Sequence, residues 1–526
     1  MRILYKIANK LFRIVKKILK LLTSRMVIIG VALLLEFCWL AGIMMQLNEK
    51  SVYINYAVTI LSLIAVLSII NNPKMNPGYK LMWAVCILAL PVTGICLYGI
   101  LGHSSVARKF RTHYDTVVLS QGGVLGEEEE TRKKLEEENI LAAGQSSYLT
   151  NYAHYPVYVN TETEYYPLGD VWFEHFIEEL KKAEHYIFME YFIISEGYLW
   201  DTVLEILKEK AAAGVDVRVI YDDFGCVTTL PYQYYKSLQQ MGIKCAAFNQ
   251  FRPVLNVILN NRDHRKIAVI DGHTAFTGGI NLADEYINRK ERFGHWKDSG
   301  ICLHGEAVWS FTVMFLQMWS TITGMECNFE SYRPEIYHEE AFKKDGFVQP
   351  YGDSPLDGET VGEHVYLNII SQAKKYLYIF TPYLIPDNET LTALCMAAKR
   401  GVDVRIVTPG IPDKKIVYIL TQANYEILLE SGVQIYQYTP GFIHSKSFVC
   451  DDEVATVGTI NMDYRSMYLH FECGVWMYGS SAVAQVKEDA LTTFEQCEQI
   501  NMDYCRKKNF AVRALRGALK FLAPLL

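Results

Sequence analysis

Hydrophobic residues are concentrated in the first hundred positions of the chain. In residues 1–25 the apolar side chains recur every three or four positions and basic side chains follow the same rhythm, which predicts a helix lying in a membrane interface. Long apolar stretches follow at 27–47, 52–70 and 81–101. Each approaches the ~20 residues that cross a bilayer. We therefore predict a multi-pass anchor in the cell membrane, with two to three transmembrane helices over residues 26–102.

The pattern changes after the predicted anchor. Residues 103–154 carry runs of Glu and Lys and are predicted to form a connector. From there on, apolar runs of strand length alternate with helical segments, which is typical of an α/β fold. We predict a first half over 155–335 and a second half over 336–505. A C-terminal amphipathic helix over 506–526 has apolar and basic residues that suit a membrane surface.

The two predicted halves repeat each other. The apolar run at 187–193 is matched by the run at 379–385, and Gly-Val-Asp-Val-Arg occurs both at 214–218 and at 401–405. The order strand–helix–strand predicts mixed, mostly parallel sheets covered by helices. Two such repeats in sequence predict a pair of pseudo-symmetric halves, with any shared site at their junction.

A third repeated element carries the candidate chemistry. The first copy reads HRKIAVID and the second reads HSKSFVCD, and a Gly and an Asn follow both copies at the same intervals. In a strand, residues i and i+2 share a face, so the His and the Lys of each copy point the same way, while the Asp ends the strand and braces the loop. The candidate catalytic residues are His264, Lys266, Asp271, His444, Lys446 and Asp451.

These residue types suit a phosphodiester substrate. One neutral histidine can attack phosphorus, and the other can donate a proton to the leaving oxygen. Asp298 and Glu472 follow the two motifs at matching positions, and each is predicted to orient the histidine of its own half. Ammonium and amide groups stabilise charge on the other phosphate oxygens. The candidate phosphate-binding residues are Lys266, Asn281, Lys446 and Asn461.

Charge and cysteine content exclude several classes of protein. The formal net charge is −7, but residues 1–25 carry eight Lys/Arg and residues 506–526 carry six, both without acids, which leaves −21 on the rest. An acidic body is unlike a nucleic-acid-binding protein, and basic ends suit anionic lipid. The twelve cysteines form no CxxC pair, so no disulfide framework and no zinc-ligand spacing is indicated. The lysines supply positive charge at the site, and we expect no metal and no cofactor.

The paired motifs resemble the phospholipase D superfamily, and further segments resemble the bacterial cardiolipin synthases within it. These segments are Asn-Arg-Asp before the first motif, Thr-Pro-Tyr-Leu-Ile-Pro-Asp at 381–387 and Asn-Met-Asp-Tyr-Arg-Ser at 461–466. The resemblance extends over nearly all of the chain after the first apolar stretch. Two positions depart from the family pattern: Thr459, where serine is common, and His470, where asparagine is common.

The resemblance implies a phosphatidyl transfer at a membrane. One phosphatidylglycerol would donate its phosphatidyl group to a histidine, and a hydroxyl of a second would accept it, giving cardiolipin and glycerol. His264 is implied as the nucleophile and His444 as the acid and base, although the symmetry of the motifs leaves the reverse assignment open. Phosphatidylethanolamine as donor stays open, as do a phospholipase D-type hydrolase, a transphosphatidylase of other phospholipids, membrane sidedness and oligomeric state. The acidic body disfavours a nuclease, and complete motifs in both halves disfavour an inactive scaffold.

Overall fold

The structure is a computed structural model. It describes residues 31, 33–34, 36–38, 50–73, 75–99, 105–120, 123–126, 129–250, 261–506 and 510–525. The predicted helix over 1–25 and most of the first apolar stretch lie outside the described residues. The chain divides into two compact units, Met1–Phe110 with Phe251–Leu259, and Arg111–Gln250 with Asn260–Leu526.

The first unit contains helices α1 (Lys50–Ile70), α2 (Pro77–Ala89) and α3 (Pro91–Leu97). The apolar stretch at 81–101 is not one helix but is broken at Pro91, because proline has no N–H and the preceding Leu90 leaves the helical conformation (φ −132°, ψ 76°). Its two pieces pack closely, since a Cβ at Gly94 would lie 2.6 Å from the carbonyl oxygen of Cys86. In the part of the chain that the structure describes, no helix combines the length and the apolar composition required to cross a membrane.

The predicted connector is helical. It forms α4 (Ser105–Ser120), α5 (Glu129–Glu138) and α6 (Ile140–Asn151). Helices α5 and α6 bury Leu135, Ala142 and Leu149 in the hydrophobic core of the second half. Apolar residues at helical spacing among the charged ones therefore make this segment a packed layer of that half.

The first half is a seven-stranded sheet with order β1-β9-β7-β6-β2-β3-β4, packed against helices. Its elements are β1 (Thr161–Tyr166), α7 (Gly169–Lys182), β2 (Tyr186–Tyr191), α8 (Tyr198–Ala212), β3 (Asp216–Asp222), α9 (Tyr234–Gln240), β4 (Lys244–Phe248), β5 (Arg262–Asp263), β6 (Lys266–Ile270), β7 (Thr274–Gly278), β8 (His295–Lys297), β9 (Gly300–Gly305), α10 (Val308–Thr323) and α11 (Pro334–Tyr337). The short strands β5 and β8 lie outside this sheet.

The second half repeats this arrangement with order β10-β17-β16-β15-β11-β12-β13-β18. Its elements are β10 (Phe347–Asp353), α12 (Val361–Gln372), β11 (Tyr376–Phe380), α13 (Asn388–Lys399), β12 (Asp403–Pro409), α14 (Lys415–Ala423), α15 (Tyr425–Glu430), β13 (Gln434–Tyr438), β14 (Gly441–Ile443), β15 (Ser447–Cys450), β16 (Val454–Gly458), α16 (Tyr464–Tyr468), β17 (His470–Tyr478), α17 (Ser481–Glu495), β18 (Cys497–Ile500), α18 (Met502–Arg506) and α19 (Phe510–Leu522). Each half has its own hydrophobic core between its sheet and its helices.

The prediction of mixed sheets is confirmed, but the expectation that they are mostly parallel is wrong. Within the two strand orders given above, β2–β3–β4 and β11–β12–β13 pair in parallel through helical crossovers, and the other described neighbours pair antiparallel. The short pairs β5–β17 and β14–β8 are also parallel. Strands β6 and β7 are joined by a tight turn in which Asp271 and Gly272 have positive φ, and a turn this short allows only antiparallel pairing.

The correspondence between the two halves differs by two residues from the one that the sequence suggested. In the first half Ile187 pairs with Ile270, and in the second Leu377 pairs with Cys450, which holds the same motif position as Ile270. Ile187 therefore corresponds to Leu377 and not to Ile379. A shift of two keeps every side chain on the same face of the strand, so the apolar pattern does not reveal it.

Candidate active site

Two short strands bring the motif histidines into one place by crossing between the halves. Strand β5 of the first half pairs with β17 of the second, and β14 of the second pairs with β8 of the first. The backbone N–H of His264, just after β5, donates to the carbonyl oxygen of Phe471 at 2.9 Å. That of His444, just after β14, donates to Lys297 at 2.7 Å. Each motif histidine is thus held by the backbone of the opposite half.

The orienting carboxylates cross in the same way. Nδ1 of His264 lies 2.9 Å from both carboxylate oxygens of Glu472, and Nδ1 of His444 lies 2.6 Å from Asp298. The prediction that each acid serves the histidine of its own half is therefore wrong. The reason is that Asp298 directly follows β8 and Glu472 lies on β17, the two strands that pair with the opposite half.

These contacts fix the state of both rings. A carboxylate can only accept a hydrogen bond, so Nδ1 carries the proton in each ring and Nε2 keeps its lone pair. Burial and the nearby Lys266 ammonium hold the pKa of His264 well below its usual range. Burial and Lys446 lower the pKa of His444 to about 4, although Asp298 acts in the opposite direction. Both imidazoles are neutral near pH 7 when no ligand is bound.

The motif lysines lie behind the histidines and are buried. Nζ of Lys266 donates to the carbonyl oxygen of His264 at 2.6 Å, and Lys446 bonds the carbonyl oxygen of His444 in the same way. Nζ of Lys446 also lies 2.8 Å from Nδ1 of His444, which is no hydrogen bond while Nδ1 donates to Asp298. Burial lowers the pKa of Lys266 to about 8 and that of Lys446 to about 7.

The two asparagines of the motif are buried in the wall of the site. The side-chain oxygen of Asn281 accepts from the backbone N–H of Ile193 at 2.9 Å, and its amide donates to the hydroxyl of Tyr286 at 2.8 Å. The amide of Asn461 donates to Ser466 at 3.1 Å, and its side-chain oxygen has no hydrogen-bond partner among the described residues. Each amide group keeps a second N–H for a bound anion.

The two motif aspartates bind backbone N–H groups of their own half and not the histidines or lysines of the motifs. The carboxylate of Asp271 accepts three backbone N–H bonds, from Glu184 to Tyr186, at 2.7–2.8 Å, and Asp451 accepts three from residues 374–376 at 2.6–2.9 Å. Both aspartates have positive φ, a conformation that Asp tolerates better than most residues. The geometry thus assigns them to bracing the turn rather than to the reaction.

A cavity of about 880 Å³ is lined by both motif histidines, His264 and His444, and by both asparagines, Asn281 and Asn461. Aromatic and aliphatic side chains form much of its wall, and Ala523 of the C-terminal segment is part of it. The charged residues on the lining are Arg262, Arg292, Lys414, Lys415 and Arg465 against Glu285, Asp413 and Asp463. The excess of positive charge suits an anionic phosphodiester.

The sequence pattern did not indicate the roles of two residues beside the carboxylates. The hydroxyl of Thr459 donates to Glu472 at 2.5 Å, whereas its counterpart Gly279 has no room for a side chain, because a Cβ there would lie 2.0 Å from Asp298. His470 lines the cavity with its ring centroid 5.6 Å from that of His264. In the sequence, Thr459 and His470 stood out only because they depart from the pattern of the family that the chain resembles.

The model of a known protein family matches both halves. The family described as "Cardiolipin synthase, PLD-like domain" matches residues 176–319 and 366–493, which include both motifs. The family described as "Phospholipase_D-nuclease N-terminal" matches residues 60–103.

Related proteins match over most of their length. An uncharacterized protein of Streptococcus mutans is 43% identical over 475 residues, which are 88% of this chain and 99% of that protein. The cardiolipin synthase of Alkalihalophilus pseudofirmus is 34% identical over 472 residues, 89% of this chain and 92% of that enzyme. The crystal structure of phosphatidylserine synthase from Haemophilus influenzae is similar with a TM-score of 0.55 and 16% identity, covering 73% of this chain and 100% of that one. At this identity the structural similarity concerns the fold alone.

Proposed function

The chain belongs to the cardiolipin synthase family of the phospholipase D superfamily, and we propose from this premise that it transfers a phosphatidyl group from one phosphatidylglycerol to another. The products are cardiolipin and glycerol. The observation that carries the proposal is the pair of histidines on one cavity, each with Nδ1 on a buried carboxylate and its Nε2 lone pair retained.

In the first step, Nε2 of His264 attacks the phosphorus of one phosphatidylglycerol. A bond forms between nitrogen and phosphorus, and the bond from phosphorus to the head-group glycerol breaks. His444, protonated once the anionic lipid is bound beside it, gives its proton to the leaving glycerol oxygen. Glu472 stabilises the positive charge that develops on His264. The result is a phosphohistidine and free glycerol.

In the second step, His444 is neutral and accepts a proton from a head-group hydroxyl of the second phosphatidylglycerol. The oxygen of that hydroxyl attacks phosphorus, and the bond to His264 breaks, which frees His264 and leaves His444 protonated. His444 keeps this proton for the next donor lipid or releases it to water when cardiolipin leaves. The amides of Asn281 and Asn461, which line the cavity, bind the non-bridging oxygens in both steps, and the buried ammonium groups of Lys266 and Lys446 beside the histidines stabilise the negative charge on these oxygens. No metal ion or cofactor takes part in this scheme.

Product analysis tests this function. Purified full-length protein in phosphatidylglycerol vesicles is expected to form cardiolipin and glycerol in equal amounts. Phosphatidic acid as the main product would instead make the protein a hydrolase. Adding phosphatidylethanolamine tests the alternative donor, because release of ethanolamine with formation of cardiolipin would show that this lipid also donates.

We place the reaction at a membrane because the substrates are bilayer lipids and several surfaces suit contact with them. In α1, large apolar side chains such as Ile60, Ile64 and Leu67 are more than half exposed. In the unit that holds both motifs, the loop between β12 and α14 carries the exposed Ile411 and ends at Lys414, and Lys415 begins α14. Both lysines line the cavity. Apolar side chains beside cations are typical of surfaces that insert into anionic bilayers.

Replacing Ile411 by aspartate is expected to lower the rate on phosphatidylglycerol vesicles by about tenfold, because burying such a side chain contributes about 1.5–3 kcal/mol. The rate on a short-chain phosphatidylglycerol that stays monomeric is expected to change little, since no bilayer has to be entered. The matched control is Ile336→Asp, the same change at an exposed isoleucine on α11, a helix that contributes no residue to the cavity lining, whereas Ile411 lies on the loop that ends at the cavity-lining Lys414. Equal losses for both variants on vesicles would contradict a docking role of this loop.

A further inference from the structure

A third histidine lies in the cavity and has no role in the proposed reaction. His470, at the start of β17, is only 9% exposed. Among the described residues, neither of its ring nitrogens has a hydrogen-bond partner. Nδ1 is 3.7 Å from Glu472, which is too long for a hydrogen bond. An unsatisfied buried polar group costs about 1–3 kcal/mol, so the position of this ring points to a ligand.

The donor atoms around His470 converge. One ring nitrogen each of His264 and His470 and one carboxylate oxygen of Glu472 all lie within 4.8 Å of one another, and all three side chains are buried. Two imidazoles and one carboxylate are a donor set typical of zinc, with the remaining position left to water or another ligand. We propose that these three side chains form an inhibitory binding site for Zn²⁺ within the active site.

Metal binding at this place would disable the nucleophile. Nδ1 of His264 is the atom that faces Glu472, so the metal would take this nitrogen in place of its proton. A neutral imidazole bound through Nδ1 carries its proton on Nε2, and the lone pair that attacks phosphorus is then lost. The metal would also occupy Glu472. The ammonium group of Lys266 opposes a dication, and we therefore expect inhibition that a chelator reverses.

Among the described residues, the second motif histidine, His444, has no such group of metal ligands beside it. Strand pairing and the crossed acids make Asp298 the counterpart of Glu472, and Trp296 then stands where the second half has His470. The ring centroids of Trp296 and His444 are 5.6 Å apart, as are those of His470 and His264. Indole offers no lone pair to a metal, so in the described part of the chain His444 has Asp298 but no second imidazole as a possible metal ligand, and it serves as the internal control.

The first experiment measures inhibition and rests on the proposed function. Cardiolipin formation by the detergent-solubilised full-length protein is titrated with Zn²⁺ and then with EDTA, beside His470→Asn. We expect the wild type to be inhibited reversibly. The variant should remain active without metal and need about tenfold or more Zn²⁺ for half-inhibition, as is typical when support for a metal is removed. Equal sensitivity of the two proteins would overturn the proposal.

The second experiment measures binding and is independent of transfer activity. The same protein is titrated with Co²⁺, whose visible absorption reports imidazole and carboxylate ligands. One equivalent is expected to bind to the wild type and to His444→Asn, and none with this spectrum to His470→Asn or His264→Asn. Absence of stoichiometric binding by the wild type, or its loss in His444→Asn, would overturn the site. Co²⁺ binding by a wild-type protein that forms no cardiolipin would refute the proposed function and leave the metal site standing.

Discussion

Replacing either motif histidine by asparagine is expected to lower cardiolipin formation by about 10⁴-fold or more, because each step requires both the nucleophile and the acid or base. The two variants differ in the step that fails. His264→Asn has no nitrogen that can attack phosphorus. His444→Asn retains the nucleophile but has no proton to give to the glycerol oxygen and no base for the acceptor.

A donor with a better leaving group separates the two roles. In a nitrophenyl ester of phosphatidic acid the leaving oxygen needs no proton, so His444→Asn is expected to release nitrophenol and retain a phosphatidyl group on the protein. His264→Asn should do neither. The measurement is radioactive label that remains with the denatured protein and is released by acid, as a nitrogen–phosphorus bond requires. Label on His264→Asn but not on His444→Asn would reverse the assignment of nucleophile and acid.

Replacing either of the crossed carboxylates, Asp298 or Glu472, is expected to cause the second large loss of transfer activity. Asp298→Asn and Glu472→Gln are each expected to lower transfer by about 10³–10⁴-fold, since an amide cannot hold the imidazole in the same tautomer. With the nitrophenyl donor the variants should again separate. Asp298→Asn should still take up label, as His444→Asn does, and Glu472→Gln should not, as His264→Asn does not.

The pairing of Asp298→Asn with His444→Asn, and of Glu472→Gln with His264→Asn, distinguishes the crossed arrangement from one in which each acid orients the histidine of its own half. The opposite result, with label on Glu472→Gln and none on Asp298→Asn, would contradict the crossing. Asp413→Asn is the matched control, because this carboxylate lines the same cavity but accepts from the hydroxyl of Tyr383 at 2.6 Å and touches neither histidine. We expect it to lose far less activity than either orienting acid.

Much of the site was predictable because its residues come in a repeat. Both histidines and both asparagines lie on one cavity at the junction of the halves, where the duplicated motif placed them. The crossing was not predictable, because it depends on pairings as short as the two residues of β5, Arg262 and Asp263. A segment of this length has no periodicity, and long-range pairing leaves no trace in the local pattern.

Two other wrong predictions, the mostly parallel sheets and the unbroken third apolar stretch, were made although the sequence contained local signals against them. The pair Asp271-Gly272 between two apolar runs is a hairpin signal, and it predicts the antiparallel pairing of β6 with β7. The prediction of mostly parallel sheets gave more weight to the strand–helix–strand order than to this hairpin signal. That order applies to three strands of each sheet, β2–β3–β4 and β11–β12–β13. Pro91 likewise marked the end of a helix, and the apolar composition around it suggested continuity. The structure was needed to single out His470, since its importance depends on two ring nitrogens that have no hydrogen-bond partner within the described ranges of the chain.

The exchange of β5 and β14 between the halves also constrains how such a protein can arise and diverge. One half alone would hold a histidine without a carboxylate and a carboxylate without a histidine. A single ancestral copy could therefore have completed its site only by associating with a second copy about a twofold axis. After fusion, the two copies are free to differ beside the carboxylates, as Gly279 and Thr459 do. Neither copy can lose its acid without disabling the ring of the other.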